Sequence, residues 1–225
     1  VWTWGRNNYG QLGLGDTTNR TEPEEVKAER TSEKGTTQEE ITDAIDVAAG
    51  VHHTLILRKD GTVWATGYNG YGQLGSGNTE KSTKFHQVKG ENGIGYLQNI
   101  VQIVSEKYTS HALTADGSIY SWGYNYYGQF GNKTTNGNAS TYPEKMQKVS
   151  NIIQITAGEH HISMLDADGS IWSTGCNSNG QFGTGTTQSE NVLPTQMLDT
   201  DGSVLYGVRA VSYTHLRAHE TLSDL

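Results

Sequence analysis

A nine-residue frame, G-x-N-x-x-G-Q-[LF]-G, occurs four times in this chain of 225 residues. The copies begin at Gly5, Gly67, Gly123 and Gly175, so they are 62, 56 and 52 residues apart. Self-similarity at such a period is typical of repeat architectures, in which each repeat forms one supersecondary unit. The frame therefore restricts the possible folds more than any other feature of the sequence.

A second recurring block lies upstream of each of the last three frames. It contains a strand-like run, an Asp-Gly pair and another strand-like run, and the pairs are Asp60–Gly61, Asp116–Gly117 and Asp168–Gly169. Asp-Gly is typical of the type I′ turn, in which both central residues take positive φ. Each block therefore predicts a β-hairpin.

Two further apolar stretches complete each repeat, one typified by 85–88 (FHQV) and the other by 100–104 (IVQIV). Each repeat thus contains four short strands, and no helical period separates them, which argues against a parallel βαβ sheet. Four-stranded antiparallel units at this period are typical of β-propeller blades. The predicted fold is an all-β propeller, with about four blades in residues 1–210.

These motifs closely resemble the regulator-of-chromosome-condensation repeat family, whose consensus joins the frame, an A-A-G-x-x-H-T-x-A-L block and a D-G-x-V-x-x-W-G block. Members typically build a seven-bladed propeller. The resemblance therefore implies a partial propeller in residues 1–210, truncated at both ends, with about four of seven blades. The block "VSEKYTSHAL" departs most from the consensus, because Thr109 replaces the usual histidine.

One copy of the frame also matches the dinucleotide fingerprint G-x-G-x-x-G, through Gly70, Gly72 and Gly75. A phosphate site would need a following helix, whereas a polar loop and another strand follow here. In the other copies the first glycine is replaced by Asn8, Tyr126 or Ser178. We interpret the recurring glycines as serving close chain approach within a blade's turn, with Gln73 positioned for backbone hydrogen bonds, and we predict no cofactor.

Residues with potentially catalytic or metal-binding side chains recur with the repeat and form no catalytic pattern. The neighbours His52–His53 and His160–His161 point to opposite faces of a strand, so each pair offers a metal one ligand at most. His53 and His161 are better explained as buried side chains that hydrogen-bond a neighbouring turn. No hydrolase, metalloprotease or phosphate-loop motif occurs. The sequence predicts a non-enzyme without catalytic, cofactor-binding or metal residues.

Composition narrows the range of partners. The 16 basic and 24 acidic residues give a net charge of −8, which offers nucleic acid no broad basic surface. No apolar run reaches the roughly 18 residues of a membrane span. Cys176 is the single cysteine, so no internal disulfide is possible, and we interpret it as a small residue at a variable turn position.

Two segments depart from the repeat. The acidic stretch Glu22–Asp46 contains "TQEE" at Thr37–Glu40, which predicts a capping box that opens a short helix, and this insert is our first choice for a partner contact. The segment "VSYTHLRAHET" from Val211 looks identical to a translated sequencing adapter. Residues 211–225 are therefore predicted to be a non-native tail without regular structure, from a gene model cut short in metagenomic assembly.

Three functions remain open. The first is a non-enzymatic propeller that presents loops to an unidentified protein partner, similar to bacterial family members found in large secreted or surface-attached chains. That resemblance favours a secreted or cell-surface location and leaves a cytoplasmic one open. The second is guanine-nucleotide exchange on a small Ras-like GTPase, the activity of the founding eukaryotic member, for which no residue can be carried over.

The third is an adhesin or carbohydrate-binding surface made of exposed tyrosines: Tyr68, Tyr71, Tyr124, Tyr126 and Tyr127. The competing interpretation is that these rings pack between blades or against turns. The plant ultraviolet-photoreceptor branch relies on tryptophans in a G-W-R-H-T motif. The corresponding positions hold Val51 and Glu159, so the sequence does not support photoreception.

Overall fold

The structure is a computed structural model that describes residues 1–32, 35–133, 139–188 and 192–212. Within these ranges the chain forms sixteen β-strands and one short 3-10 turn, Glu91–Gly93. The described residues include no helix of the length and apolarity that a bilayer crossing requires. The all-β prediction is confirmed.

The strands form propeller blades in the order that the repeat predicts. Three blades have four antiparallel strands each, and the first blade has two. The strands are β1 (Trp2–Gly5) and β2 (Arg20–Glu25) in the first blade; β5 (Ala44–Ala49), β6 (His53–Arg58), β7 (Val63–Gly67) and β8 (Ser82–Gln87) in the second; β9 (Ile100–Ser105), β10 (Thr109–Thr114), β11 (Ile119–Gly123) and β12 (Ser140–Lys145) in the third; β13 (Ile152–Ala157), β14 (His161–Asp166), β15 (Ile171–Gly175) and β16 (Thr195–Gln196) in the fourth. The prediction of about four blades is confirmed, and the first has the two strands that correspond to β7 and β8.

The frame glycine lies directly opposite the recurring histidine position in each central hairpin. Gly67 pairs with His53 between β7 and β6, and Gly175 pairs with His161 between β15 and β14. Gly67 has a φ of +111°, and a Cβ there would lie 2.5 Å from the carbonyl oxygen of His52. Glycine is therefore required where the hairpin passes into the frame turn.

The hydrophobic core lies between neighbouring blades. One buried cluster joins side chains of the second and third blades, and a second cluster joins the third and fourth. The innermost strands β5, β9 and β13 pack side by side. Gln102 on β9 exchanges two 2.9 Å hydrogen bonds with the backbone of Ile155 on β13, so polar contacts also fix the relative position of the blades.

The Asp-Gly turns form the predicted hairpins but not with the predicted geometry. Positive φ is confined to the glycines, at +77° for Gly61 and Gly117 and +82° for Gly169. The amide of Gly61 donates to the carbonyl of Arg58, and the amide of Arg58 donates to the carbonyl of Thr62. This pattern is a type I turn followed by a left-handed glycine, and the type I′ assignment was wrong. In this longer connection none of the three aspartates has a positive φ.

The insert after the first blade forms a β-hairpin, so the predicted capping-box helix at Thr37–Glu40 was wrong. Its strands are β3 (Lys27–Ser32) and β4 (Gly35–Glu40), and β3 pairs in parallel with β8 at Ala28 and Phe85. A short isolated helix is only marginally stable, whereas this hairpin satisfies the exposed edge of the second blade. The sheet of that blade therefore has six strands.

Most of the predicted tail, residues 213–225, lies outside the described residues, so its adapter origin stays a prediction. Of the two tail residues that are described, Val211 donates its amide to the side-chain oxygen of Gln154 on β13 at 3.0 Å.

Candidate protein-interaction surface

A buried asparagine holds each frame turn together. Asn69 is fully buried, its Oδ1 accepts from the amide of Leu74 at 2.9 Å, and its Nδ2 donates to the carbonyls of Asn78 and Glu80 at 3.0 Å. The same Oδ1 contact recurs at Asn7, Asn125 and Asn177. We assigned no role to this asparagine from the sequence, although its recurrence was a usable signal.

The glutamine of the frame acts as predicted. The Oε1 of Gln73 accepts a hydrogen bond from the amide of Tyr71 at 3.1 Å, and the pairs Gln11–Tyr9 and Gln129–Tyr127 repeat the contact at 3.0 Å. Each bond fixes the backbone of the residue that lies two positions earlier. Asparagine and glutamine thus present the variable frame positions on one end of the propeller.

The second frame glycine serves an approach between blades rather than within one. Gly72 has a φ of +81°, and a Cβ there would lie 2.6 Å from the carbonyl oxygen of Ser140 on β12 of the third blade. Gly10 meets Thr83 on β8 in the same way. Our prediction of close approach is confirmed; its location within a single blade was wrong for Gly72 but right for Gly75, where a Cβ would lie 2.7 Å from the side chain of Val88. Gly70, the first glycine of the apparent nucleotide fingerprint, has no positive φ.

The turns bring seven tyrosines and two histidines onto one surface. We name this surface the tyrosine face; it comprises Tyr9, Tyr68, Tyr71, Tyr108, Tyr124, Tyr126, Tyr127, His52 and His160. The frames supply six of the tyrosines, and the residues just before β6, β10 and β14 supply the other three rings. The sequence predicted five of these tyrosines as surface residues.

The rings of the tyrosine face contact one another in an unbroken series across the blades. The centroid of Tyr68 lies 5.2 Å from that of Tyr9 and 5.9 Å from that of Tyr108. The ring of Tyr71 then lies 5.1 Å from Tyr108 and 5.0 Å from Tyr124. Most pairs are tilted or edge-to-face, the arrangements that aromatic quadrupoles favour. Both interpretations therefore hold in part, because the rings pack between blades while staying partly exposed.

Burial shifts the pKa values of three rings of the tyrosine face in the direction that favours their neutral forms. Burial, followed by the charge of Arg6, lowers the pKa of His52, and burial raises the pKa of Tyr68 and Tyr124. The hydrogen bond to Glu159 raises the pKa of Lys107, whose ammonium lies 2.8 Å from that carboxylate. At neutral pH, the phenols of Tyr68 and Tyr124 and the imidazole of His52 are neutral, and the ion pair of Lys107 and Glu159 lies beside them.

Beneath this surface, one histidine joins two blades. His53 is fully buried, and its Nε2 lies 2.9 Å from the hydroxyl of Ser110, which in turn donates to the carbonyl of Gln73 at 2.8 Å. The indole of Trp122 donates to the same carbonyl at 2.8 Å. His161 is also buried, so both histidines lie in the interior as predicted. The hydroxyl of Ser110, in the next blade, lies between His53 and the turn, and the sequence did not predict this link.

The third blade replaces this arrangement by a buried network around Glu106. Glu106 lies at the position of Gly50, where a Cβ would lie 2.4 Å from the ring of His53, and Thr109 takes the position of that histidine. The carboxylate of Glu106 lies 3.2 Å from the Nε2 of His111, and the Nδ1 of His111 lies 2.8 Å from the hydroxyl of Ser121. A larger residue is allowed at 106 because the histidine ring is absent at 109.

The array of Ser121, His111 and Glu106 resembles a hydrolytic triad in composition only. At most 3% of any of these residues is exposed, so no substrate can reach the hydroxyl. The network instead satisfies the hydrogen bonds of polar groups in the core. Among the described residues, no group of three or more His, Cys, Asp or Glu side chains could hold a metal ion. Cys176 is partly buried and lies 3.2 Å from the hydroxyl of Ser178.

Comparison with known proteins decides the family. The family model of the regulator of chromosome condensation (RCC1) repeat matches residues 1–57, 60–105, 116–165 and 168–213. The chain belongs to the RCC1 repeat family. A second RCC1 repeat model matches 44–73, 100–129 and 152–181, which include the first three strands of each complete blade.

The RCC1 repeats are similar to those of functionally different proteins. The ultraviolet-B receptor UVR8 of Arabidopsis thaliana is 32% identical over 205 residues, which cover 90% of this chain and 42% of the receptor. The probable E3 ubiquitin-protein ligase HERC4 of Mus musculus is 33% identical over 193 residues, 84% of this chain and 17% of the ligase. The chain thus spans less than half of each of these relatives.

Solved structures support the RCC1-type propeller. Human WBSCR16 matches with a TM-score of 0.68 and 23% identity, over 87% of this chain and 46% of that one, which shows the fold alone. Yeast RCC1 (Prp20), in its complex with Kap60, matches with a TM-score of 0.63 and 25% identity, over 91% of this chain and 43% of that one.

Proposed function

We propose that this RCC1-repeat chain is a non-enzymatic scaffold whose tyrosine face binds a protein partner. The observation that carries the proposal is the unbroken series of tyrosine rings across the second and third blades, from Tyr68 through Tyr108 and Tyr71 to Tyr124. These rings belong to different turns, so the propeller assembles a surface that no single repeat contains.

The chemistry of the tyrosine face suits protein recognition. Tyrosine offers a large, rigid, amphipathic contact area at a low cost in side-chain entropy, and it is enriched among the residues that dominate interface energetics. The rings already brace one another, and the lowered pKa of His52, caused mainly by burial, removes a charge that a partner would have to desolvate. Tyr126, with 58% of its surface exposed, is the most accessible ring of the cluster.

Related proteins support a scaffold without identifying its partner. The structure of yeast RCC1 (Prp20) holds Kap60, and a second study of Prp20p from Saccharomyces cerevisiae describes its binding to Gsp1p and histones. HERC4 is named a probable ubiquitin ligase. What each relative binds or modifies is a property of that relative, so the partner of this chain is left to experiment.

The proposal extends to the context of the chain. We infer a larger bacterial protein that is secreted or displayed at the cell surface, from the resemblance to bacterial family members of that kind. The abundance of Tyr, Asn, Thr and Gly and the net charge of −8 are in line with an extracellular surface. The relatives named above are eukaryotic and give the bacterial origin no support. The β3–β4 hairpin is a second contact in the proposal, since it covers the outer edge of the second blade.

The tyrosine face can be tested by site-specific photo-crosslinking. Benzoylphenylalanine would be placed at Tyr126 on the face or at Tyr206, which is 62% exposed and is not one of the described residues that form the tyrosine face. Each form would be incubated with extract of the encoding organism. We expect one protein to crosslink from position 126 and not from 206. Its retention should fall by about tenfold in the double variant Tyr71→Ser/Tyr126→Ser.

Matched controls separate binding from folding. The double variant should keep the melting temperature of the parent to within a few degrees, and Tyr206→Ser should retain the partner fully. Crosslinking from position 206 alone would refute the proposal. Retention of a polysaccharide instead of a protein would favour the carbohydrate-binding alternative.

Guanine-nucleotide exchange on a small GTPase is the competing function. It is suggested by the names of related proteins, such as the X-linked retinitis pigmentosa GTPase regulator of Canis lupus familiaris. Small Ras-like GTPases loaded with a fluorescent nucleotide provide the assay. We expect the fluorescent nucleotide to be released at its intrinsic rate whether or not the chain is present. Accelerated release would overturn the scaffold proposal in favour of exchange.

A further inference from the structure

A groove lies between the second and third blades at the end of the propeller opposite the tyrosine face. The strands β6 and β10 begin at the tyrosine face and end at the Asp-Gly turns that border this groove. The groove has a volume of about 590 Å³. Its wall includes both turns and the connection between β8 and β9. A ligand bound here would not touch the tyrosine face.

The connection between β8 and β9 forms one side of the groove. It spans residues 88–99, whereas the corresponding connection between β12 and β13 spans only 146–151. The longer loop folds on itself through a β-bridge between Lys89 and Tyr96 and a hydrogen bond from the amide of Gly90 to the carbonyl of Gly95. We did not single out this loop from the sequence, and its extra length distinguishes the second blade from the third.

The groove has an apolar wall that faces solvent. Ile94 is 81% exposed, Val101 51% and Tyr96 47%, and all three line the cavity. Single exposed apolar residues are common, but three that line one concave surface indicate a contact site. The ammonium of Lys89 lies 4.8 Å from the ring centroid of Tyr96, so that ring already packs against a cation.

Among the described residues, three carboxylates line the same cavity, from Asp60, Glu91 and Asp116, and Lys59 is the one basic residue of that lining. Hydrogen bonds from Thr114 and Ser118 lower the pKa of Asp116, so this carboxylate is ionised at neutral pH. Lys145 lies near Asp116 but outside the lining. The lining thus has an excess of negative charge beside its apolar wall.

We propose that this groove binds an extended peptide segment in which an arginine or lysine is flanked by apolar residues. The cation would lie between Glu91 and Asp116, and the apolar neighbours would cover Ile94 and Val101. The negative charge of the lining is complementary to a basic occupant, and the net charge of −8 favours encounters with such a segment. The site goes beyond the proposed scaffold contact, because it lies at the other end of the blades.

The test uses the full chain and a short fluorescein-labelled peptide with a central Leu-Arg-Leu. A matched peptide carries citrulline in place of arginine, which keeps the shape and removes the charge. We expect the arginine peptide to bind at least threefold more tightly and to lose affinity as salt is raised. The double variant E91Q/D116N should weaken its binding by about five- to tenfold.

The control variant is Asp168→Asn, which makes the same change in the corresponding turn of the fourth blade, away from the groove. It should bind the peptide like the parent, and thermal melts should show all variants folded. Ile94→Ser should weaken the binding of both peptides, since it removes apolar contact without changing the charge. Amide chemical shifts of Gly61, Ile94 and Gly117 should move on titration.

Several outcomes would overturn the proposal. These are equal binding of the citrulline peptide, unchanged binding by E91Q/D116N, shifts confined to the tyrosine face, or no binding at millimolar peptide. Light scattering that reveals a dimer of the chain, dissociated by Ile94→Ser, would assign the groove to a second copy instead. The scaffold proposal would survive each of these results, because its crosslinking test depends on Tyr71 and Tyr126.

Discussion

The Nε2 atom of His53 lies 2.9 Å from the hydroxyl oxygen of Ser110, which belongs to the next blade. That hydroxyl also donates to the carbonyl of Gln73, so the imidazole is connected to the frame turn through a residue of another blade. The recurring histidine of the repeat is therefore a contact between blades in this pair, and it contributes to their alignment rather than to chemistry.

Replacing His53 with alanine should destabilise the fold substantially. The change removes a fully buried ring and leaves a cavity between blades, and it also removes one partner of Ser110. We expect the free energy of unfolding in urea to fall by about 3 kcal/mol. His52→Ala, on the partly exposed surface, should cost less than about 1 kcal/mol. Equal losses for the two variants would contradict the assigned role.

The same histidine should make stability depend on pH. Burial, with the charge of His52 second, lowers the pKa of His53 to about 3 from 6.5. Between these values the unfolded chain binds a proton that the folded chain excludes, so the free energy of unfolding rises with pH. The contribution of His53 is complete above pH 6.5 and is lost towards pH 3, by up to about 1.4 kcal/mol per pH unit.

The measurement compares urea unfolding of the parent and His53→Gln at several pH values. The variant should show a shallower loss of stability between pH 6 and pH 4.5, since it lacks this titrating group. Carboxylates such as Asp166 titrate at lower pH and are present in both chains. Burial raises the pKa of Asp166, but hydrogen bonds with Ser170 and Trp172 outweigh burial, so that the pKa is lowered. Parallel curves would show that His53 is protonated within the fold.

Glycine at the second frame position should matter most where another blade approaches. An alanine Cβ at Gly72 would meet the backbone of Ser140 at 2.6 Å, whereas one at Gly180 would meet nothing within 4 Å. Both have similar positive φ, +81° and +78°, so the conformational cost is shared. Gly180→Ala should cost about 1 kcal/mol of unfolding free energy and Gly72→Ala at least about 2 kcal/mol more. Chemical denaturation of both variants tests this difference.

The carboxylate of Glu106 should contribute to stability because its partner is buried with it. Glu106→Ala leaves His111 without one of its two hydrogen-bond partners inside the core, and we expect a loss of about 3 kcal/mol in unfolding free energy. Glu159→Ala breaks the ion pair to Lys107, in which the glutamate side chain is 48% exposed, and should cost less than about 1 kcal/mol. A small effect of Glu106→Ala would mean that His111 finds another partner.

Some features could be predicted from the sequence because their causes are local. The Oδ1 of Asn69 reaches an amide five residues away, and the Oε1 of Gln73 reaches one two residues away, so the frame contains its own hydrogen-bond partners. Local sequence patterns gave the wrong prediction where pairing with a distant strand determines the secondary structure. "TQEE" at Thr37–Glu40 is a helix-start pattern, yet this segment is a strand because β3 pairs with β8 at Ala28 and Phe85.

By itself, the sequence determined the repeat, the four-stranded blade and the buried positions of His53 and His161. Only the tertiary structure decided which blades meet and what their contacts create: the link between His53 and Ser110, the groove beside Ile94 and the continuous tyrosine face. Repetition specifies the unit through short-range turns and hydrogen bonds. The rings of Tyr71 and Tyr108 meet only because packing between blades fixes the position of one unit against the next.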